Sequence, residues 1–399
     1  MSVHRDGRGA PSSGQVWEGL VGQGHVIQRL QRAVAAETAG EMTHAWLFTG
    51  PPGSGRSNTA LAFAAALQCE RGGCGTCHSC HEVSVGSHPD VRVTRTEKLS
   101  IGVEEVRELV RSSALAPVGR RWQVMVVEDA DRLTDQAANA LLKAIEEPTE
   151  RTVWLLCAPT AEDVLPTIRS RTRLVVLSTP STEAVTDFLV RSDGLPVETA
   201  SYAARASQGH IGRARALARD EDTRRRRREV VAIPSRLRSL GACLSAAADL
   251  HDLAKEEADA ITTAHDQREK DDLDRAYGVV ERGRRPREYA PALRELEKSQ
   301  KTRAKRRHLD VIDRGLMDLV SVYRDVLTLQ LGAGVELVNE ELRGDVVALA
   351  NASSPDHCLR CIEAVFEARE QMLEFNVAAL LALESMMVAL LVPEHAAVG

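Results

Sequence analysis

The sequence predicts an α/β domain built on a mostly parallel sheet, followed by helices to the C-terminus. Two observations predict it. Between Trp17 and Val176 short apolar runs alternate with helical patterns, the spacing of strands joined by crossover helices. After Ser178-Thr179-Pro180 the strand-like runs stop. At 399 residues, 43% of them hydrophobic, the chain can bury the cores of about two to three domains, which excludes wholesale disorder.

In chain order, residues 1–15 are rich in Gly, Ser and Pro and read as a disordered tail. Strands are expected at Ala45–Thr49, Val91–Thr94, Gln123–Val127, Val153–Cys157 and Arg173–Leu177, with helices at Thr59–Gln68, Val103–Ala114 and Gln136–Glu147. Residues 181–219 read as two or three short helices, punctuated by Gly194-Leu195-Pro196, Gly209 and Gly212. Beyond about residue 230 the pattern is helical, and Ile312, Leu316, Leu319, Val320, Tyr323, Val326 and Leu327 recur with the period of a buried stripe. The domains expected are therefore a sheet domain over 16–178, a small helical domain over 179–222 and a helical domain over 223–399. Residues 251–310 carry 15 basic and 14 acidic residues, a density that suits a solvated helix or hairpin, or a partly disordered insertion. The five arginines Arg224–Arg228 read as a solvated linker or helix face in preference to a phosphate-contacting patch.

Composition narrows the function. A net charge of −6 argues against a surface coated in positive charge, and 13 aromatic residues are too few for a base-stacking platform. The longest apolar stretch, Val377 to Val392, is interrupted by Glu384 and Ser385 and is too short to span a bilayer. The first 15 residues lack the apolar centre of a signal peptide, so a soluble cytoplasmic protein is expected.

Chemistry concentrates in four segments. Gly50-Pro51-Pro52-Gly53-Ser54-Gly55-Arg56-Ser57 follows an apolar strand and opens an Ala-rich helix, the context of a phosphate loop. There backbone N–H groups wrap an anion and the helix N-terminus adds its dipole. The pattern G-x-x-x-x-G-K-S/T fits except that Arg56 stands in place of lysine, and a wide planar guanidinium seldom fits the nest of a compact ammonium. Gly50, Gly53, Gly55, Arg56 and Ser57 are thus candidates for a degenerate nucleotide site, in which ATP with Mg²⁺ could bind but hydrolysis is not expected. A glycine-rich turn with no ligand is the alternative. Next, the strand at Gln123–Val127 ends in Glu128-Asp129, where a phosphate-loop enzyme places a magnesium ligand and a water-orienting base. The usual order is Asp then Glu; the reversal shifts each carboxylate by about one methylene, where a ~1 Å error can cost ~100-fold. Solvated acids at a strand end are the plainer reading. Third, Cys69, Cys74, Cys77 and Cys80 fall within 12 residues, a spacing that lets four thiolates close a structural Zn²⁺ shell. The pair Cys358 and Cys361 reads as helix packing. Last, Thr167-Ile168-Arg169-Ser170-Arg171-Thr172 precedes a strand, and on spacing alone its arginines read as surface charges.

Together these segments resemble the AAA+ clamp-loader subunits of bacterial DNA polymerase III, most closely the delta-prime branch. The resemblance takes in Val21-Gly22-Gln23, His44-Ala45-Trp46-Leu47-Phe48, the phosphate loop and the four-cysteine insertion behind its helix. It continues through His88-Pro89-Asp90, the stretch from Leu133 to Pro148 that includes Asn139-Ala140-Leu141-Leu142-Lys143, and Ser170-Arg171, where Thr172 replaces the family's cysteine. It covers roughly residues 17–220. It implies an AAA+ phosphate-loop domain with an inserted zinc module, a helical lid and an all-α collar. It implies that Arg171 is an arginine finger reaching a neighbouring subunit's ATP site. In the lid, Gly212 occupies the place of the family ATPases' sensing arginine and Arg213 falls one place late. The partners implied are motor (gamma/tau) and delta subunits, with the sliding clamp and primed DNA reached through the complex. The polymerase activity belongs to the assembly. An ATP-hydrolysing motor subunit is the alternative, and a freestanding zinc-dependent DNA-binding module is disfavoured by charge and composition.

Overall fold

Five strands, β1 (Ala45–Thr49), β2 (Val91–Thr94), β3 (Gln123–Val127), β4 (Thr152–Ala158) and β5 (Arg173–Val176), form an all-parallel sheet in the order β2-β3-β4-β1-β5. The computed structural model describes residues 15–35, 41–96, 100–119, 121–279 and 286–391. The tail expected over residues 1–15 therefore lies, up to residue 14, outside the described residues. The chain divides into two compact units, Met1–Ala218 and Arg219–Gly399.

In the first unit the helices are α1 (Gly24–Ala35), α2 (Arg56–Gln68), α3 (His78–Ser84), α4 (Val103–Ser113), α5 (Asp135–Glu146), α6 (Pro166–Arg169), α7 (Thr182–Asp193), α8 (Val197–Ser207) and α9 (Ile211–Arg219). Alternation along each inner strand feeds two cores. Trp46, Phe48, Val124, Val126, Val153 and Leu155 pack against residues of α1 and α2. Ala45, Leu47, Met125, Val127, Trp154 and Leu156 pack against residues of α4 and α5. Burial on both faces explains why β1, β3 and β4 read as unbroken apolar runs. Phe63 of α2 stands edge-on to Trp46 and Phe48, with ring centroids 5.2 and 6.4 Å apart. Its truncation to alanine would cost about 3–5 kcal/mol.

Element boundaries differ from expectation at a few ends. β4 gains Thr152 and Ala158, and β5 stops at Val176. Helix α2 starts at Arg56 rather than Thr59, because Gly55 takes a left-handed φ of 89° and turns the chain straight into the helix. Helices α7 to α9 form a small bundle around Val185, Phe188, Leu189, Ala200, Ala203, Ala204 and Leu217. Ser181 caps its first helix by accepting from the Ala184 N–H, and Gly194 closes that helix at φ 65°.

The second unit is helical: α10 (Glu221–Val231), α11 (Ile233–Arg236), α12 (Leu240–Ala276), α13 (Tyr289–Gln330), α14 (Arg343–Ala352), α15 (Pro355–Leu373) and α16 (Ala379–Ala389). Of the expected stripe, Ile312, Leu316, Leu319, Tyr323 and Val326 are fully buried, and Val320 and Leu327 partly so. Cys358 and Cys361 sit in the same core, as helix packing requires.

The charged stretch 251–310 is resolved as a hairpin of α12 and α13, residues 280–285 lying outside the described set. The Asp274–Tyr289, Asp266–Gln300 and Glu257–Arg314 contacts fix its antiparallel register. The charges are partly consumed within it: Arg303 is buried against Asp266 and Glu269. The five-arginine run falls on α10, and each member faces a carboxylate. Arg224 and Arg228 meet Glu221, Arg225 meets Asp222, Arg226 meets Glu257, and buried Arg227 meets Asp318 and Glu341. Among the described residues no helix is long and apolar enough to cross a membrane.

Candidate functional site

In a parallel sheet, ligands collect beyond the carboxyl ends of the strands. Gly50 follows β1 there, Glu128 follows β3, and Cys157 lies near the end of β4. Gly53 has φ 84°, and a Cβ on it would stand 2.5 Å from the Cβ of His210, so that only glycine fits beneath this histidine of the small bundle. Arg56, at the first residue of α2, turns its guanidinium back: Nη1 donates to the carbonyl of Gly50 at 2.7 Å. A positive group thus caps the loop from its own helix. Ser57 is half-buried in the first turn of α2, and buried Ser54 Oγ has no hydrogen-bond partner among the described residues.

The acids are equally committed. Glu128 is 7% exposed and takes both arms of Arg95, with Nε–Oε2 at 2.7 Å and Nη2–Oε1 at 2.9 Å. Arg95 is held above its ordinary value, first by this bond, against the opposing effect of burial. Asp129 also has interactions of its own. Burial pushes the Asp131 carboxyl up, with Asp129 adding to the rise and Arg56 opposing it. Burial likewise pushes the Cys157 thiol up, and Glu128, Arg56 and Asp129 all act on it. The structure therefore brings Gly50, Gly53, Gly55, Arg56, Ser57, Glu128 and Asp129 to one end of the sheet. Sequence reasoning missed two of their partners, Arg95 and the His210 contact. A charged residue placed directly after the strand Val91–Thr94 was the signal available for the first.

Arg171 is elsewhere. β5 pairs with β1 in parallel, Arg173 opposite Trp46 and Val176 opposite Thr49. Arg171 precedes the amino end of β5, whereas Gly50 follows the carboxyl end of β1. About 13 Å of strand, four residues at ~3.3 Å, separates the two ends. Its side chain is 40% exposed and its Nε lies 2.7 Å from Oε1 of Glu146, the last residue of α5. Its Nη1 donates to the Thr167 carbonyl at 2.9 Å and to Ser170 Oγ at 3.2 Å.

The four cysteines converge. Cys69 ends α2, Cys77 caps α3 and Cys80 lies within it. Their Sγ atoms, with that of Cys74, all lie within 4.8 Å of one another. Cys69 Sγ is 3.6 Å from Cys74 Sγ and 3.7 Å from Cys77 Sγ. A tetrahedron with metal–sulfur bonds of about 2.3 Å has edges of about 3.8 Å, so the thiols fit a closed four-sulfur shell. The backbone N–H groups of Arg71 and Cys74 point at Cys69 Sγ, and that of Cys80 at Cys77 Sγ, a pattern that favours thiolates. The Cys74 thiol is brought down to about 5, first by the Thr76 N–H. Burial pushes Cys69 up, but three backbone N–H donors outweigh it and leave it lowered; Cys80 is pushed up by burial. A second group, His265, Asp266 and Glu269, could also hold a metal ion, but Arg303 already takes its two carboxylates.

Known proteins resemble the part of the chain that carries these residues. Residues 22–181 match the model of the family described as DNA polymerase III, delta subunit. The delta-prime subunit of Escherichia coli (strain K12) is 36% identical over 194 residues, 47% of this chain and 58% of that protein. The delta-prime subunit of Pseudomonas aeruginosa is 37% identical over 179 residues, 43% of this chain and 54% of that protein. The gamma/tau subunit of Mycobacterium tuberculosis is 35% identical over 191 residues, 46% of this chain and 32% of that protein. The chain thus spans between about a third and three fifths of these relatives. Through residues 22–181, the chain is therefore similar to DNA polymerase III subunits of the delta-prime and gamma/tau kinds.

Proposed function

We propose that this chain is the non-hydrolysing delta-prime member of a clamp loader, contributing a scaffold and one arginine to a neighbour's ATP site. One observation carries the reading. Arg171 and the chain's own phosphate loop lie at opposite ends of the sheet, so this arginine cannot serve this loop. Presented half-exposed at an edge, it is placed to meet a nucleotide held by another subunit. A guanidinium near a γ-phosphate stabilises the charge that spreads over it in phosphoryl transfer.

The chain's own loop contributes no hydrolysis in this reading. Arg56 is bonded to Gly50, Glu128 is closed by Arg95, and His210 sits over Gly53. Helices α7 to α9 serve as the lid over residues 179–222, and residues 223–399 as the collar. The four cysteines hold one structural Zn²⁺, which ties the end of α2 to α3 and leaves no open position for substrate. The partners are gamma/tau and delta subunits, and the sliding clamp and primed DNA are reached through them, in the cytoplasm.

The rival is the ATP-hydrolysing motor subunit, since gamma/tau relatives are about as similar as delta-prime ones. ATP turnover by the purified chain alone separates them. Turnover no higher than the buffer background fits the delta-prime reading; steady turnover abolished by Arg56→Ala would favour the motor.

A further inference from the structure

Resting on that reading of Arg171, we propose that Glu146 is its positioning residue, holding the guanidinium in the orientation from which it serves the neighbouring site. An arginine side chain loses rotamer freedom when fixed. Three contacts restrain this one beforehand: Glu146 at 2.7 Å, the Thr167 carbonyl at 2.9 Å and Ser170 Oγ at 3.2 Å. Two come from the short segment that carries Arg171 itself. Among the described residues Glu146 is the partner that reaches it from a separate element, which fixes its direction relative to the sheet.

Glu146 has no evident structural reason to be acidic. It is the final residue of α5, where the helix dipole disfavours a carboxylate. Its pair with Arg171 is open to water, with side chains 43% and 40% exposed, and such pairs contribute little to stability. The pair adds little to the fold yet controls where a catalytic charge points, and there a misplacement of ~1 Å can cost ~100-fold.

The test is a double-mutant cycle in the complex assembled from this chain with gamma/tau and delta subunits, reading DNA-stimulated ATP turnover. Glu146→Ala should lower kcat several-fold, less than ~100-fold because this chain completes one of several sites. KM for ATP, assembly and the melting temperature of the free chain should stay unchanged. Glu146→Gln, which keeps the acceptor oxygen but not the charge, should fall between. Glu146→Ala combined with Arg171→Ala should be no slower than Arg171→Ala alone, since the two act as a unit. Additive losses, or a rate that rises in Glu146→Ala, would overturn the positioning role. If Arg171→Ala is slow while Glu146→Ala turns over at the wild-type rate, the role of Glu146 fails and that of Arg171 stands. If Arg171→Ala itself is unaffected, the reading of Arg171 fails first.

Discussion

Arg56 donates from Nη1 to the carbonyl of Gly50 across 2.7 Å, so the residue at the phosphate-loop lysine position closes the loop it should open. Its charge is spent on the first residue of the loop. A nucleotide entering the loop must displace a charge-assisted hydrogen bond worth about 1.5–3 kcal/mol. Arg56→Lys should therefore bind ATP about 10- to 100-fold more tightly in a fluorescent-nucleotide titration. No ATP turnover is expected of this variant, because Glu128 stays engaged by Arg95. An unchanged affinity would show that the guanidinium does not guard the loop.

Gly53→Ala should destabilise the first unit. The left-handed φ of 84° costs about 1–2 kcal/mol for an L-residue, and the new Cβ would meet His210 Cβ at 2.5 Å. A melting-temperature drop of about 2–8 °C is expected. Adding His210→Ala removes the clash with Cγ at 2.6 Å but leaves those with Cβ at 2.5 Å and Cα at 2.7 Å, so it should relieve the steric part less than His210→Gly, which leaves only that with Cα. Full stability in Gly53→Ala alone would mean that the loop and the bundle do not touch in solution.

Purified without chelator, the chain should carry about one Zn²⁺, and Cys77→Ser should lose it. Cys77 both caps α3 and supplies one corner of the four-sulfur group. Its loss should lower the melting temperature of the first unit and leave that of the second unchanged. Elemental analysis finding no metal would remove the zinc assignment.

Two arginines of the same run should behave differently. Arg227→Ala takes the paired cation away from Asp318, whose side chain is 4% exposed, and should cost about 3–5 kcal/mol. Arg225→Ala removes a pair with Asp222 whose side chains are 60% and 59% exposed, and its melting temperature should hardly move. Equal effects in chemical denaturation would show that burial does not distinguish them.

Much of this was readable from local pattern. The glycines, the acids and the four cysteines are short-range signals, because one strand end, one loop or one helix turn places them. The inner strands announced themselves as apolar runs because both faces of the sheet are covered. What escaped was what chain separation hides. Arg95 meets Glu128 across 33 residues, and His210 reaches Gly53 only once the small bundle packs on the loop. Glu146 was read as part of a helical stretch, because nothing local says that its carboxylate turns toward Arg171. The arginine run was read as a solvated linker or helix face, and it lies on α10 with Arg225 and Arg228 exposed; what local pattern did not show is that Arg227 is buried against acids of α13 and the segment before α14.

The trans role proposed for Arg171 is tested most directly by DNA-stimulated ATP turnover in the assembled complex carrying Arg171→Ala. Trans arginines are worth ~10³–10⁵ in rate at the site they complete, and the loss in total turnover is smaller because other sites remain. The variant should fold, assemble at the wild-type stoichiometry, and turn over ATP and load clamps more slowly. Lysine at 171 should rescue it poorly, since it lacks the planar fork. A complex that assembles normally and loads clamps at the wild-type rate with alanine at 171 would contradict the account.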